Sequence, residues 1–407
     1  VLKPAELKRG LSLNLLVFYG LGNILGAGIY VLIGEVAGVA GLLSPVSFLL
    51  ASLLAGFTAF SYAEISSRYP VSAGESVYVY EGFGIVSLSR LVGLLIIFAG
   101  ITSSAAIVQG FVGYLGVFVQ VPGAIIIIVL VLGLASLAAW GITESVRAAS
   151  LFTLVEILGL LLIIWSGRDA LASLPVRIHE ITPGIGSMDL RAVFLAALLA
   201  FYAYIGFEDM VNVAEEVKSP ERNLPVAILA ALVISSLLYV LVALVAVLSV
   251  PPAELAQSSA PLAYIYEHNT GSSPVLITVI GMLAVINGAL IQIIMVSRIL
   301  YGMARKGWVF ARLGEVNPVT QTPLLATYIT AVAITVLALT STIAELAQYT
   351  SFLILVVFVM VNAALIRIKR RMPDPGNARV YPMAMPVTGM ALSILFIVIQ
   401  LHDWLFA

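Results

Sequence analysis

The sequence predicts an all-α polytopic membrane protein, and three observations carry that prediction. Hydrophobic residues make up 61% of the 407 and charged residues only 10%, where soluble proteins are roughly 25% charged. The apolar residues come in blocks. No Lys, Arg, Asp or Glu occurs from Gly10 to Gly34, Val36 to Ala63, Leu91 to Thr143, Asn223 to Ala253 or Val316 to Ala344. A spanning helix needs about 20 mostly apolar residues, so each block holds one span and the third holds two. Finally, the basic residues sort by side once the spans are drawn.

Eleven spans are expected, at 11–33, 42–65, 84–117, 122–140, 148–167, 190–217, 223–249, 274–304, 323–340, 346–367 and 383–404. The first apolar run has no cleavage-site pattern and is read as a retained span. With the N-terminus in the cytoplasm, only Arg168, Arg177 and Arg191 of the 20 lysines and arginines fall outside. Positive charge concentrates on the cytoplasmic side of membrane proteins. The bias therefore fixes the orientation and supports the count, since a missed span would invert every loop after it. Formal net charge is −1, which gives no case for nucleic acid. Cysteine is absent, which removes disulfide and thiol chemistry.

Span one carries four glycines, Gly20, Gly22, Gly26 and Gly28, within nine residues. In hydrocarbon every backbone N–H and C=O must find a partner. A helix that is easy to open is tolerated there only where the freed groups line a cavity or meet a ligand. Span six repeats the feature in Tyr202-Ala-Tyr-Ile-Gly-Phe-Glu-Asp209. These spans hold matching places in two halves of five, and paired interruptions of that kind point to a transport site. Half-helix N-termini suit an anionic group, and the freed carbonyls suit a cation or an ammonium. Two other readings apply to the glycines. A dinucleotide fingerprint needs a preceding strand, which an apolar span does not supply. Close helix packing through small pairs such as Gly22 and Gly26 is compatible with a break.

Four motifs then resemble the amino acid–polyamine–organocation superfamily of amino acid permeases, from about Lys8 to Pro323. They are Gly22-Asn-Ile-Leu-Gly-Ala-Gly-Ile-Tyr30; Phe60-Ser-Tyr-Ala-Glu-Ile-Ser-Ser-Arg-Tyr-Pro70 with Ser72-Ala-Gly-Glu-Ser-Val-Tyr78; Phe201 to Phe207 with Ala214 to Pro225; and Ser297 to Arg305 with Asn317-Pro318 and Thr322-Pro323. The resemblance implies a five-plus-five inverted-repeat transporter fold with spans one and six broken. It divides the chain into a cytoplasmic N-terminus (1–10), a first five-helix repeat (11–167), an extracellular connection (168–189), a second repeat (190–367), a cytoplasmic loop (368–382) and an accessory span (383–407). By position it puts the substrate α-carboxylate at amides near Gly26, Ala27 and Gly28. The α-ammonium falls at carbonyls of Tyr202, Ala203 and Ile205, with Ile24 beside them, and Phe207 lies over the substrate. Thr102 and Ser103 in span three are the preferred additional lining among the uncharged polar residues, which include Tyr62, Gln109, Asn287, Gln292 and Asn362.

Glu156 lies within span five, and an ionisable group at that depth is costly and faces protein or water. Several proton-coupled relatives that the segment resembles carry lysine here, so the glutamate is a departure. Three roles fit it: a proton-coupling group, a fixed hydrogen-bonding acid, or a sodium ligand. Glu208 and Asp209 follow the second break. They fit either as caps of the next half-helix or, for Glu208, as a contact for a cationic side chain. Glu64 and Glu215 are candidates for pairing across the inner gate.

The expected function is a secondary transporter moving an amino acid across the cytoplasmic membrane, driven by protons in preference to sodium. Exchange, uniport and ligand sensing are the alternatives. An enzyme is not expected: His179, His268 and His402 lie outside the spans, and no metal-ligand cluster, cofactor motif or nucleophile motif appears. Glu208→Ala is expected to weaken uptake of cationic amino acids more than neutral ones in a competition assay; an equal loss for all would assign the residue to capping.

Overall fold

A computed structural model describes residues 10–25, 28–71, 74–116, 118–140, 142–181, 189–374, 376 and 378–406. Gly26 and Ala27 fall outside the described residues. Among those described the chain is helical, with no named strand. Eight helical stretches are long and apolar enough to cross a membrane, and two shorter apolar helices accompany them.

The first expected span is two helices, α1 (Leu13–Leu25) and α2 (Gly28–Ala40). Span two is α3 (Ser44–Arg68), started by Pro45 in its first turn, where a missing N–H costs nothing. Then come a short α4 (Gly74–Phe83), α5 (Val86–Leu115), α6 (Gly123–Trp140) and α7 (Ile142–Ser166). The connection that follows contains α8 (Arg168–Ala172) and α9 (Leu174–Ile181). Arg177 of α9 pairs with Glu180 at 2.8 Å and donates to the Leu248 carbonyl at 2.9 Å. That pair holds the Glu180 carboxyl below its ordinary range.

Span six begins as α10 (Leu190–Tyr202), N-capped by the Asp189 side chain on Ala192 N. The interruption expected here follows, with a 3₁₀ segment where a second half-helix was expected. The helix stops at Tyr202, Gly206 takes a φ of 128°, and a 3₁₀ segment runs over Glu208–Glu216. The rest of the chain forms α11 (Pro220–Ser249), α12 (Pro252–Leu255), α13 (Pro261–Thr270), α14 (Val275–Arg305), α15 (Leu324–Thr340), α16 (Ile343–Arg371) and α17 (Ala384–Phe406). Helix α16 starts three residues ahead of the expected span because Thr342 and Glu345 form a reciprocal capping box.

Helices α5 and α14 pack on one another and form the interior, with 78% of each apolar window buried, against 39% for α6 and 28% for α17. Val129, Leu132, Val233, Leu237, Val332, Val336 and Val398 are exposed and apolar, forming a lipid-facing belt. The α1 break lies against α7, α11 and α14, and α10 lies against α2, α3 and α16. One backbone bridge joins the two broken spans: Leu11 pairs with Val217, through Leu11 N to Glu216 O at 3.0 Å and Lys218 N to Leu11 O at 2.9 Å.

At one end of α3, Glu64 Oε1 accepts from Arg68 Nη2 at 2.7 Å, and Glu64 Oε2 accepts from Lys369 Nζ at 2.6 Å and Tyr381 N at 2.9 Å. Glu64 thus ties α3 to α16 and to the segment leading into α17. Glu215 is exposed.

The glycines give a direct test of packing. A Cβ on Gly28 would lie 2.2 Å from Ala203 Cα, which is backbone, whereas a Cβ on Gly56 of α3 would meet nothing within 4 Å. Gly56→Ala is expected to leave the melting temperature unchanged or raise it, since Ala is favoured over Gly in a helix by about 1 kcal/mol. Gly28→Ala is expected to lower it by several degrees, checked by differential scanning fluorimetry in detergent.

Candidate functional site

The start of α2 and the break in span six face each other; the expected break in span one lies outside the described residues. Gly28 touches the Ala203 backbone, and a Cβ on Gly206 would lie 2.9 Å from Asn23 Nδ2. Glycine is needed at Gly206 twice over, for that approach and for the positive φ that side chains rarely adopt. Gly22 serves contact with another helix: a Cβ there would meet Thr153 Oγ1 of α7 at 2.1 Å. The close-packing reading of the glycine cluster is therefore present in the structure.

A polar hub crosses the junction. Asn23 Nδ2 donates to the Gly206 carbonyl at 2.9 Å and to Asp209 Oδ2 at 2.7 Å. Gln292 Nε2 of α14 donates to the same Asp209 oxygen at 3.0 Å and to Asn23 Oδ1 at 3.3 Å. The capping reading of Asp209 is thereby corrected. Its carboxylate is bound by side chains of α1 and α14, because the segment it starts is a tight 3₁₀ turn packed against both. Glu208 turns back instead. Its Oε2 accepts from Gly206 N at 2.9 Å, while its Oε1 is buried with no partner. The one freed amide is answered locally, and one carboxylate oxygen remains available.

The freed carbonyls converge. Tyr239 of α11 brings its hydroxyl 2.5 Å from the Ile24 carbonyl and 3.0 Å from the Ala203 carbonyl. One proton cannot fully satisfy both, so the two breaks together present more acceptor capacity than the protein fills. The Tyr202 carbonyl is less free than expected, since it accepts from Ile205 N at 3.2 Å. Ile24 and Ile205 are buried apolar neighbours of this junction.

Phe207 lies in an aromatic cluster, 5.7 Å from Tyr62 and 5.4 Å from Phe358 between ring centroids. Ser103 meets the Tyr202 hydroxyl at 3.2 Å, and Thr102 meets Thr350 of α16 at 2.7 Å. Both expected α5 residues thus bind across helices, and Ser103 reaches the end of α10 itself. Next to Tyr202, a void of about 10 Å³ lined by Val31, Leu32, Ala106, Ile107 and Ile343 has room for at most one water.

Glu156 is fully buried on α7. Its Oε1 accepts from Asn287 Nδ2 of α14 at 2.8 Å, and its Oε2 has no partner. Tyr30 of α2 donates to the Glu156 backbone carbonyl at 2.9 Å. Glu156 is therefore in contact with both a helix of the first break and the helix that supplies Gln292. Among the described residues no three His, Cys, Asp or Glu are arranged to hold a metal ion.

Sequence reasoning missed Asn23 and Tyr239. Asn23 carries a readable signal, an amide-bearing side chain in the middle of a glycine-rich apolar run. Tyr239 carries none: a single tyrosine in an apolar span looks the same whether its hydroxyl meets a freed carbonyl or a helix turn.

The comparisons with known proteins come to the same place. The amino acid permease family matches residues 11–402. The branched-chain amino acid permease BcaP of Bacillus subtilis is 30% identical over 97% of this chain and 89% of its own length. The vacuolar cationic amino acid transporter 2 of Arabidopsis thaliana is 30% identical over 91% of this chain, which spans 61% of that protein. The methylthioribose transporter of Bacillus subtilis is 27% identical over 91% of this chain and 84% of its own.

Tyr239→Phe removes the donor from two carbonyls in a water-poor interior, and an unsatisfied buried acceptor costs about 1–3 kcal/mol. The variant is expected to fold with a lower unfolding free energy of that order, read from chemical denaturation in mild detergent, while Tyr328→Phe on the exposed face of α15 changes nothing.

Proposed function

Because the chain belongs to the amino acid permease family of the amino acid–polyamine–organocation superfamily, we propose that it is a secondary active transporter. It carries an amino acid across the cytoplasmic membrane by alternating access and is driven by protons. The two five-span repeats move against each other around a site at their broken spans, with the N-terminus inside as the positive charge bias requires. The observation that carries this reading is the convergence of the Ile24 and Ala203 carbonyls on one point, now met by Tyr239. An α-ammonium has three donors and can answer both carbonyls at once, which the hydroxyl cannot. The α-carboxylate then takes the Gly28 amide at the start of α2, with the positive end of that helix behind it; Gly26 and Ala27, expected beside it, lie outside the described residues. Phe207 and its aromatic neighbours form the apolar side, with Thr102 and Ser103 on α5 beyond them.

Glu156 is the proton-coupling group in this reading. It has one oxygen bound to Asn287 and one free, so it can gain or lose a proton without dismantling its packing. Its links to α2 through Tyr30 and to α14 through Asn287 connect that proton to the helices that form the site. The side chain transported is narrowed by names on either side: one relative is named for branched-chain and another for cationic amino acids. The unpartnered Glu208 Oε1 supports acceptance of the cationic class.

The test is uptake by purified protein in proteoliposomes. The panel is leucine, isoleucine, lysine and arginine, in sodium-free buffer, with and without an inward proton gradient. Accumulation of at least one is expected, and only with the gradient. Uptake that needs preloaded amino acid and ignores the gradient would make the protein an exchanger. Glu156→Gln is expected to bind substrate with less than threefold change in Kd and to lose the gradient dependence; unchanged dependence would remove Glu156 from the coupling role.

A further inference from the structure

A second buried carboxyl lies away from Glu156, on the short helix α4. Glu75 is 1% exposed, and neither of its carboxylate oxygens has a hydrogen-bond partner. The groups around it share that condition. The Tyr62 hydroxyl of α3, the Tyr78 hydroxyl of α4 and the Asn212 Nδ2 of the 3₁₀ segment are all buried and unpartnered. Gly74 N donates to Asn212 Oδ1 at 3.2 Å, which fixes the start of α4 against the 3₁₀ segment. A Cβ on Gly74 would lie 2.6 Å from Val211 Cγ2 and 2.8 Å from the Tyr78 hydroxyl, so the seam is closed tightly there. Gly84, just past the end of α4, has a φ of 72°, marking the turn into α5.

A buried carboxylate left without a partner is strongly unfavourable, and the group neutralises instead. Neutralisation by a cation of the protein is not at hand. Helix α3 contributes Tyr62, and its Glu64 and Arg68 bind each other. Helix α5 has no charged residue after Arg90, which reaches the Gly307 carbonyl. On α16, Lys369 is taken by Glu64 and Arg367 lies over the Phe83 ring at the other end of α4. The 3₁₀ segment adds Asp209 and Glu208, which are acidic. Burial pushes the Glu75 carboxyl up to about 8, and the Asp209 charge adds to the rise; its own backbone amide and the Asn212 amide lie near enough to oppose it but outside hydrogen-bond geometry.

We propose that Glu75 is a proton-binding site of the inner seam: it holds a proton while α4 is sealed against the 3₁₀ segment and gives it to water when the seam opens. On opening, the Glu75 O–H bond breaks and the proton passes to solvent; on closing, the carboxylate takes one back. This deepens the proposed transport function, since it rests on reading α4 as a cytoplasmic element of a transporter. It also adds a proton site at the inner end of span six, separate from Glu156. The direction follows from the two states. The sealed carboxyl titrates near 8 and the solvated one near its ordinary 4.5, so sealing strengthens as pH falls from 8 toward 4.5 and is flat beyond either end. An inner face meeting an alkaline cytoplasm is thereby biased to open.

Hydrogen–deuterium exchange of the α4 segment, 74–83, in detergent-purified protein without substrate or gradient tests this directly. After correction for the intrinsic pH dependence of exchange, opening of α4 is expected to rise about tenfold from pH 7 to pH 9. The rise should be absent in Glu75→Gln, which should stay protected at both, and retained in Glu75→Asp. An equal rise in Glu75→Gln, or none in the wild type, would overturn the proposal. So would a protection that depends on sodium at constant pH, which would make the seam a metal-cation site. A wild type that fails to transport leaves this readout intact, so the failure of the transport reading and of the proton site are told apart.

Discussion

The structure depends on one constraint, that a carbonyl or amide released inside a membrane must be answered. Each unsatisfied group costs several kcal/mol where no water can reach it. Span six is nevertheless interrupted after Tyr202, and its neighbours answer the released groups. Helix α11 sends Tyr239 to the Ile24 and Ala203 carbonyls, Glu208 folds back on the Gly206 amide, and Asn23 takes the Gly206 carbonyl. The interior helix α14 then supplies Gln292 and Asn287, so that Asn23, Asp209 and Glu156 are each bound from outside their own helix. The answers are incomplete in a patterned way. Glu156 Oε2, Glu208 Oε1 and Gln292 Oε1 remain buried and unpartnered around the junction, which is the condition expected of a site that still has a ligand or a proton to receive.

What moves and what stays can be argued from how each end is fastened. Leu11 and Val217 are bridged by backbone bonds, so the segments before α1 and after the 3₁₀ turn are held together. The Glu64 cluster instead joins α3 to α16 and to the segment before α17, through fully buried charges. Removing one partner from a buried ion pair costs about 3–5 kcal/mol because the other charge is left alone. That cluster is therefore a poor gate and a good pin. Glu64, a gate candidate on position alone, instead ties α3 to α16 and to the segment before α17. The proposed seam at Glu75 has a different character: among the described residues the start of α4 is packed against Val211 and joined to the 3₁₀ segment by the Gly74 amide on Asn212.

The fold was legible in the sequence because its signals are local. Block length gives spans, and Gly206 within an apolar run marks the break of span six. Each of the eleven expected spans contains a helix. Of the proposed site, the sequence points to the backbone positions Ile24, Gly28, Ala203 and Gly206, which the structure brings close together. Its side-chain half was not legible, because each contact joins residues far apart in the chain: Asn23 with Asp209 and Gln292, Tyr239 with Ile24. An apolar span offers no pattern that says which of its few polar side chains finds a partner. The conformation after the second break was also out of reach. A second half-helix was expected after the break, and a 3₁₀ segment over Glu208–Glu216 stands there, preceded by Gly206 with its positive φ and its close contact to Asn23.

These limits bear on how a proton and a substrate can be linked without touching. Glu156 and the Ile24–Ala203 junction share no hydrogen bond, yet both rest on α14 and on the first broken span. Asn287 binds Glu156 and Gln292 binds Asn23 and Asp209, five positions apart on one helix. Tyr30 of α2 reaches the Glu156 carbonyl, and Tyr114 of α5 reaches the Tyr30 carbonyl at 2.7 Å. Under the proposed transport reading, a shift of α2 on substrate binding would alter the surroundings of Glu156, and a change of charge at Glu156 would alter the cost of that shift. Coupling of this kind is reciprocal by thermodynamic necessity. It needs only that the free Glu156 oxygen be answered differently in the two positions of α2.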